Sequence, residues 1–353
     1  MKTTTIGIVG FGFMGQVHLK YLSQMKHVKI LGICDIDETQ FAHAPADMKT
    51  YNNPAELIAD KDIDVILISS NNDTHRHITE MAANAGKHVL CEKPVALSLE
   101  DLDAMTAVCK KNNVSFTVHQ QRRFDKDFRT AKAVFESGTL GDMYTVQSAL
   151  YGFNGNMHDW HVYMDQGGGM LYDWGVHLLD QLLWMIPGKI KSMYADIRNV
   201  INTEVDDYFN VMMRFDSGVT ATLELGTYFL ADKPGWFDRH WFIGGNKGSM
   251  HVDGFDPKGA IVRTSELLTN VAGQRTFTVA GPTRSFGDPP LGRILTEALP
   301  AVDVNHLMYF DNYFAALNGN DEFLVTIPEV RRVLRLMDAV RESAATMKSI
   351  DFE

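Results

Sequence analysis

Three side chains, those of Lys93, Asp173 and His177, are of types that could carry out acid–base chemistry together. Asp173 and His177 are four residues apart, so a helix would place both on one face. An imidazole titrates near neutral pH, and a carboxylate can either orient it or pair with an ammonium group such as that of Lys93. Oxidation of an alcohol by hydride transfer needs a base for the hydroxyl proton and a group that holds the oxygen. This set could supply both.

The same residues also have interpretations that involve no chemistry. Lys93 follows a predicted strand and precedes Pro94, which restricts the backbone, but a lone lysine there is often only a surface residue. Asp173 could be an aspartate in the first turn of a helix, and His177 a satisfied buried histidine. Three glycines at 167–169 directly precede them and favour close approach of a ligand or of another backbone. Ligands also bind at the ends of parallel strands, so we favour the chemical interpretation.

A glycine-rich turn near the N-terminus matches the pattern G-x-G-x-x-G at Gly10, Gly12 and Gly15. It follows an apolar strand-like run and opens a helical pattern, and Asp35 stands twenty residues after Gly15 at the end of the next predicted strand. Glycines allow the tight turn, close approach of a pyrophosphate and close packing of helix and strand. The pattern therefore predicts a dinucleotide site at the N-terminus of the helix. The other residues of the turn are Phe11, Phe13 and Met14.

Asp35 would accept hydrogen bonds from the adenine ribose hydroxyls and would repel a 2′-phosphate. No arginine follows it, because the segment reads Cys34-Asp35-Ile36-Asp37. The sequence therefore predicts NAD, with NADP less favoured. Asp35 could instead cap its loop, in which case Asp37 could take its place.

Length and charge narrow the classes of protein to consider. The chain has 353 residues and a formal net charge of -11. Its length favours two domains, and the lack of a basic block argues against a nucleic-acid partner. We find no apolar stretch long enough for a membrane span and no signal peptide pattern. The three cysteines form no Cys-x-x-Cys pair, which favours a reducing compartment and a cytoplasmic location.

Residues 1–121 alternate short apolar runs with helical patterns, which predicts a parallel sheet with helices on both faces. The predicted strands are 4–9, 29–34, 63–69, 88–91 and 115–118, and the predicted helices include 14–24, 73–85 and about 99–112.

Residues 122–353 follow a different pattern. Apolar residues alternate along 209–215 and 219–225 around the turn Asp216-Ser217-Gly218, and 241–243 and 249–252 resemble a second hairpin. The pattern predicts an α+β domain with an open antiparallel sheet.

Taken together, these motifs resemble the glucose–fructose oxidoreductase and inositol dehydrogenase (Gfo/Idh/MocA) family. The matching segments run in family order and are 10–15, 70–75, Glu92-Lys93-Pro94, Arg123-Phe124, 167–177 with Asp180, and 205–207. The resemblance implies an α/β protein with an N-terminal Rossmann domain. It also implies a C-terminal domain whose open, mostly antiparallel sheet forms homodimers or homotetramers.

The resemblance also implies roles for particular residues. Lys93, Asp173 and His177 would be the catalytic set, with His177 as the base for oxidation and Lys93 holding or relaying the proton. Which of these two is the base varies in the family. Arg123 would face the substrate pocket, beside Lys93, Asp173 and His177. The residues near the cofactor would be those of the glycine turn with Asp35, and Ser70, Asn72, His75, Glu92 and Lys93, of which Asn72 and Glu92 would lie near the nicotinamide and its ribose.

Thirteen histidines raise the question of a metal. His158 and His161 are three apart, but no cysteine or carboxylate set completes a zinc-like spacing, so we predict no metal. His158 and Trp160 precede the glycine block and could instead line the substrate pocket or a subunit contact.

The chain departs from the family pattern at three places. Ser70-Asn71-Asn72 lacks the proline of the usual Thr-Pro-Asn, and Trp160-His161 replaces Trp-Arg, whose arginine usually helps to bind an anion or a cofactor phosphate. The usual Asn-rich approach to Arg123 is here His119-Gln120-Gln121-Arg122. These changes affect the identity of the substrate more than the use of the cofactor.

Three functions follow as hypotheses. The first is a NAD-dependent dehydrogenase that oxidises a secondary alcohol of a sugar, inositol or related polyol. The second is an enzyme that retains and recycles NAD while it cleaves glycosides or isomerises sugars through transient oxidation. The third is a non-enzymatic, NAD-dependent sensor, against which the intact set of Lys93, Asp173 and His177 argues.

Overall fold

The computed structural model describes residues 3–152, 157, 159–229 and 238–353. Within these ranges, the chain forms a parallel sheet of six strands, then a mixed sheet of nine strands and a separate two-stranded hairpin. No helix in the described part of the chain is both long enough and apolar enough to cross a membrane.

The first sheet is fully parallel and has the order β3-β2-β1-β4-β5-β6. The order reverses between β1 and β4, so the carboxyl ends of these strands flank a crevice of the kind in which dinucleotides bind. The predicted Rossmann sheet is thereby confirmed. Its strands are β1 (Thr4–Val9), β2 (Val28–Cys34), β3 (Lys49–Tyr51), β4 (Val65–Ile68), β5 (His88–Cys91) and β6 (Phe116–Val118), and its helices are α1 (Phe13–Leu22), α2 (Pro54–Ile58), α3 (His75–Asn84) and α4 (Leu99–Lys111).

Local sequence explains where these helices begin. The Asn53 side chain accepts a hydrogen bond from the backbone of α2, and Ser98 does the same for α4. The helix predicted over 73–85 instead starts with a 3-10 turn, Asn72–Thr74, and becomes α-helical at His75. The reason is local, because both the backbone N–H and the hydroxyl of Thr74 bond to the carbonyl of Asn71.

The second sheet has the order β16-β13-β12-β11-β7-β10-β9-β8-β17. Only β7 and β10 pair in parallel among its described neighbours, which confirms the mostly antiparallel sheet, and the two predicted hairpins are β9–β10 and β11–β12. The elements are α5 (Lys126–Ser137), β7 (Met143–Tyr151), α6 (Val176–Met185), β8 (Ile190–Arg198), β9 (Tyr208–Phe215), β10 (Thr220–Gly226), β11 (Asp238–Gly245), β12 (Gly248–Asp253), β13 (Lys258–Thr264), β14 (Gln274–Thr278), β15 (Gly281–Asp288), β16 (Ile294–Glu297), α7 (Leu307–Leu317), α8 (Ile327–Thr346) and β17 (Ile350–Asp351).

The two faces of this second sheet differ. On one face Val211, Leu223 and Trp241 are buried, and helices α5, α6 and α8 pack against the sheet. On the other face Tyr194 and Met212 are neighbours on β8 and β9 and are 41% and 48% exposed. An antiparallel sheet with one covered face has the alternation seen in its sequence.

The C-terminal helices connect the two sheets. The Thr117 hydroxyl donates to the carbonyl of Val325 at 2.7 Å, and the Tyr309 hydroxyl donates to the carbonyl of Val118 at 2.7 Å. Segments after residue 300 therefore bind directly to β6 of the first sheet. The domain boundary between residues 121 and 122 remains our proposal.

Candidate active site

The glycine turn after β1 has three glycines with different surroundings. Gly10 has a φ of +88°, and a Cβ there would lie 2.3 Å from the backbone nitrogen of Ser70. A Cβ on Gly15 would lie 2.2 Å from the carbonyl oxygen of Gly10, whereas a Cβ on Gly12 would meet nothing within 4 Å. Gly10 and Gly15 are therefore required by packing, and Gly12 opens free space at the start of α1. This space is what a bound pyrophosphate needs.

Asp35 faces this turn. Its Oδ2 accepts a 2.6 Å hydrogen bond from the backbone nitrogen of Phe11, and its Oδ1 accepts one from Asp37. The Asp37 carboxylate instead bonds Thr39 and Gln40 within its own loop. The structure therefore places Asp35, not Asp37, beside the glycine turn. Of the other turn residues, Phe11 is buried, Met14 is half-buried and Phe13 is 79% exposed.

The loop after β4 is bound to the loop after β5 through His75. The His75 ring is fully buried, with its Nε2 3.0 Å from the carbonyl oxygen of Ser70 and its Nδ1 3.1 Å from that of Pro94. Burial lowers the pKa of His75. The cofactor contact that we predicted for this residue stays a prediction, while its two ring contacts join the Ser70 loop to the Pro94 loop. His75 therefore positions the loop, while the Ser70 hydroxyl bonds Thr74.

Asn72 lies where this loop meets the second domain. It is 7% exposed, and its amide donates to the carbonyl of Gln166 at 3.3 Å. Gly167 has a φ of +75°, and a Cβ there would approach Leu97 to 2.4 Å and the Asn72 amide to 3.2 Å. Glycine at 167 thus leaves room for these two side chains. The close approach of another backbone, one of the two reasons that the sequence suggested, occurs at Gly168, where a Cβ would lie 2.6 Å from the carbonyl oxygen of His161.

Lys93 and Asp173 form the centre of the candidate site. Lys93 Nζ lies 2.6 Å from Asp173 Oδ1 and 2.9 Å from the Asp173 carbonyl oxygen, and both side chains are about 15% exposed. His161 Nε2 lies 3.4 Å from the other carboxylate oxygen. Burial alone would raise the pKa of Asp173, but Lys93 and His161 outweigh it and hold the pKa well below its ordinary value. Asp173 is therefore an anion held between Lys93 and His161.

Asp206 fixes the turn that carries Asp173. Asp173 lies in a π-helical turn, Leu171–Gly175, which continues into α6. Asp206 accepts a 2.7 Å hydrogen bond from the backbone nitrogen of Leu171, and a Cβ on Gly169 would lie 2.3 Å from its carboxylate. Burial raises the pKa of Asp206 to about 6, despite this hydrogen bond. A glycine at 169 lets the carboxylate reach the turn.

His177 is almost fully buried, with 3% exposure, at the start of α6. Its Nδ1 lies 2.8 Å from Oε1 of Gln120, so an accepting Gln120 leaves the proton on Nδ1 and the lone pair on Nε2. Burial, with the charges of Lys93 and Arg122, lowers the pKa of His177 well below its ordinary value. The imidazole is therefore neutral and can accept a proton. Its partner is Gln120 rather than Asp173, which settles the choice that the sequence left open.

Two further predicted site residues are bound by partners within the chain. Arg123 is 1% exposed; its guanidinium donates two hydrogen bonds to Asp180 and one to the carbonyl of Leu324. Glu92 is 4% exposed, its Oε1 lies 2.6 Å from His18 Nε2 and 2.8 Å from His119 Nδ1, and its Oε2 accepts from the Lys93 backbone nitrogen. The predicted contacts of these two residues with substrate and cofactor stay predictions. Both hold the chain around the site.

Glu92 and the two histidines that contact it form a cluster of three side chains. In the described part of the chain, this cluster is the one set of three that could hold a metal ion. His18, Glu92 and His119 are all buried, and their nitrogen-to-oxygen distances of 2.6 and 2.8 Å are those of hydrogen bonds. Burial lowers the pKa of His119 to about 4, so its ring is neutral and donates one N–H to Glu92. This geometry favours a hydrogen-bonded cluster, and the absence of a metal stays a prediction.

The sequence did not single out Gln120 and His161 as site residues. Both belong to segments that we noted as departures from the family pattern, which was the available signal. Trp160 stacks on His161 with ring centroids 3.9 Å apart, so it lies beside the Asp173 group. The predicted residue His158 lies outside the described residues.

Comparison with known proteins gives two matches that cover most of the chain. The family model described as "Oxidoreductase family, NAD-binding Rossmann fold" matches residues 4–120, and that of the GFO/IDH/MocA C-terminal domain matches residues 128–251. A NAD-binding protein from Listeria innocua of known crystal structure is 35% identical, with a TM-score of 0.91 over 99% of this chain and 100% of that one.

Two curated proteins are more distantly similar. Myo-inositol 2-dehydrogenase of Thermotoga maritima is 27% identical over 76% of this chain and 79% of its own length. The 2,7-anhydro-N-acetylneuraminate hydratase of Mediterraneibacter gnavus is 26% identical over 97% of this chain and 95% of its own.

Proposed function

Because this chain belongs to the GFO/IDH/MocA oxidoreductase family, we propose that it is a NAD-dependent dehydrogenase acting on a secondary alcohol of a sugar, inositol or related polyol. The observation that carries the proposal is the pairing of Lys93 with Asp173 beside a neutral, buried His177. A positioned cation and a neutral base are the two groups that oxidation of an alcohol requires.

We assign the base role to His177 and the oxygen-holding role to Lys93. In the direction of oxidation, His177 Nε2 takes the hydroxyl proton and the imidazole becomes cationic. Lys93 has three N–H donors, two of which bond to Asp173, so the third can donate to the substrate oxygen. Asp173 keeps the ammonium group charged and aimed, and the product is a ketone.

The residues of the first domain fit a bound dinucleotide. Free space at Gly12, and an α1 N-terminus without a side-chain cap, leave backbone N–H groups for the pyrophosphate. Asp35 beside the turn supports NAD rather than NADP, because a carboxylate there repels a 2′-phosphate. When bound, NAD supplies the acceptor for the hydride of the carbinol carbon. Asn72, at the domain contact, is our proposed neighbour of the nicotinamide.

The substrate class rests on the relatives. The T. maritima relative acts on myo-inositol, a cyclic polyol, by its name. Trp160 and His161 lie beside Asp173 and offer an aromatic face and a polar edge, which suits the apolar and hydroxyl faces of such a ring.

A second candidate function has one specific observation in its favour. The relative from M. gnavus, similar over nearly the whole chain, is a hydratase by name, and its overall reaction is not a net oxidation. An enzyme that retains NAD and recycles it would use the same Lys93 and His177. It would form product without net reduction of added cofactor.

We also propose that the chain forms homodimers or homotetramers through the open face of the second sheet. Tyr194 and Met212 are exposed neighbours there, and Tyr144 on β7 is 58% exposed. Exposed apolar side chains grouped on one face mark protein contacts.

The cysteines support a reducing compartment such as the cytoplasm. Cys34, Cys91 and Cys109 are all buried free thiols. Burial raises the pKa of Cys34 and that of Cys109 to about 12, so both stay protonated and unreactive.

Nicotinamide absorbance tests the function directly. NAD and then NADP would be offered with a panel of inositols, aldoses, sugar acids and amino sugars. Reduction of NAD with one class supports the dehydrogenase and names its substrate. Substrate conversion without reduction of added NAD would instead establish the recycling enzyme.

A further inference from the structure

The segment that follows β6 contacts the side chain of His177 and that of Glu92, which precedes Lys93, through two consecutive residues. Gln120 bonds the His177 ring, and His119 bonds Glu92, the residue before Lys93. We propose that Gln120 is a positioning residue of the reaction, which holds His177 in the tautomer whose Nε2 is free to take a proton. The inference rests on the proposed function, because it assigns the base role to His177.

The first observation is the contact itself. The Gln120 side chain is 1% exposed and His177 is 3% exposed, and Oε1 lies 2.8 Å from Nδ1. A neutral imidazole carries one proton, and a carbonyl oxygen can only accept. The proton is thereby drawn to Nδ1, and no hydrogen bond to Nε2 occurs in the described part of the chain. The nitrogen that faces away from Gln120 is the one with the available lone pair.

The second observation is that the residue before Gln120 is itself held in place. The backbone nitrogen of His119 donates to the carbonyl of Cys91, and its ring donates to Glu92 Oε1 at 2.8 Å. The other oxygen of Glu92 accepts from the backbone nitrogen of Lys93. The ring of His119 also stacks on Phe310, with centroids 5.0 Å apart. The segment that carries Gln120 is thus fixed relative to the backbone of Lys93.

The charged groups around His177 indicate how its titration would respond to a change at Gln120. Lys93 and Arg122 lower the pKa of His177, while Asp173 and Glu92 raise it. Among the described residues, Gln120 is the only hydrogen-bond partner of the His177 ring, and its side chain is neutral. A carboxylate in the same place would stabilise the imidazolium and raise the pKa of His177 by about one to three units.

The experiment compares Gln120→Glu, Gln120→Leu and a control, Gln121→Leu. Gln121 is also buried, and its Oε1 has no hydrogen-bond partner among the described residues, so the control makes the same change without touching His177. The first readout is the ¹⁵N spectrum of labelled histidine in the protein without substrate, with His177 assigned by the loss of its signals in His177→Asn. This readout does not depend on turnover.

In the parent protein and in Gln121→Leu, we expect His177 to be protonated on Nδ1 alone. In Gln120→Leu both tautomers should appear, and kcat should fall about tenfold or more with a smaller change in KM. In Gln120→Glu the acidic limb of kcat/KM should move to higher pH by one to three units, because a base with a raised pKa stays protonated to a higher pH.

Two results would overturn the inference. One is an unchanged Nδ1–H tautomer in folded Gln120→Leu. The other is a Gln120→Glu enzyme whose His177 titrates as in the parent protein. If the tautomer responds as expected but no form oxidises any substrate, the control of the His177 tautomer by Gln120 stands and the proposed function fails. The two outcomes are therefore distinguishable.

Discussion

The ammonium nitrogen of Lys93 lies 2.6 Å from the carboxylate of Asp173 and 2.9 Å from its backbone carbonyl oxygen, although 80 residues separate them in the chain. Lys93 follows β5 of the first sheet, and Asp173 lies in the turn before α6 of the second domain. Two acceptors on one residue fix the direction of the ammonium group. The remaining N–H is what the proposed chemistry uses.

Lys93→Met should abolish turnover, by at least about a hundredfold, while NAD still binds. The substitution keeps the length of the side chain but removes the charge that holds the substrate oxygen. Turnover is measured by nicotinamide absorbance and NAD binding by calorimetry. Lys49→Met is the matched control, since Lys49 also pairs with an aspartate but lies exposed on β3. Turnover near the parent rate in Lys93→Met would remove Lys93 from the mechanism.

Gly12→Ala and Gly15→Ala should separate cofactor binding from folding. The methyl group at residue 12 enters open space and should weaken NAD binding at least tenfold with little change in melting temperature. The methyl group at residue 15 would meet the Gly10 carbonyl at 2.2 Å and should lower the melting temperature by several degrees. Calorimetry and thermal unfolding measure the two effects. Undiminished NAD binding by Gly12→Ala would place the pyrophosphate elsewhere.

Asp35→Ser should weaken NAD binding and narrow the preference for NAD over NADP. The carboxylate that repels a 2′-phosphate is removed, and so is an acceptor for the ribose hydroxyls. We expect the ratio of kcat/KM for the two cofactors to shift toward NADP by at least tenfold. Asp37→Ser is the control, because the Asp37 side chain bonds its own loop. An equal shift in the control would mean that Asp37 contributes as much as Asp35 to the choice between NAD and NADP.

Much of the first domain could be predicted because its signals are local. The glycine turn, the caps of α2 and α4 and the buried run of β4 each lie within a few consecutive residues, and each fixes its own element. Alternation along β9 and β10 likewise predicts a one-faced hairpin. These patterns depend only on neighbouring residues and on the two-residue repeat of side chains along a strand.

The partners of individual side chains could not be predicted in this way. Arg123 is bound by Asp180, 57 residues away, and Gln120 reaches His177 over the same distance in sequence. Helical spacing left open whether Asp173 orients His177 or pairs with Lys93. In the structure Asp173 lies in a π-helical turn and pairs with Lys93, which follows β5. Such pairings depend on how distant elements pack, which no local pattern records.

Met212→Glu should weaken the proposed oligomer. Met212 is 48% exposed next to Tyr194 on the open face, so a glutamate there would bring a charge into the contact between subunits. Light scattering after size exclusion should show a smaller species than the parent protein. Val279→Glu is the control, since Val279 is a fully exposed residue between β14 and β15 rather than on this face. An unchanged mass for Met212→Glu would place the contact elsewhere.

The stability of Asp206→Asn relative to that of the parent protein should increase as the pH rises. Asparagine can still accept the hydrogen bond from the Leu171 nitrogen, but it cannot ionise. The pKa of Asp206 is raised to about 6 in the folded protein, against about 3.9 for an unfolded aspartate. The folded state therefore holds this proton more tightly. The parent protein loses stability from this group as the pH rises from about 4 to 6, by about 2–3 kcal/mol in all.

Urea unfolding of both proteins at pH 4.5 and pH 7.5 measures this effect. The difference in unfolding free energy should move in favour of Asp206→Asn by about 1–3 kcal/mol between the two pH values. Asp196→Asn on the exposed part of β8 controls for general charge effects. A difference that stays constant with pH would mean that Asp206 is ionised in the folded protein throughout. The turn before Asp173 would then be held by a charged carboxylate, with a correspondingly stronger bond to the Leu171 nitrogen.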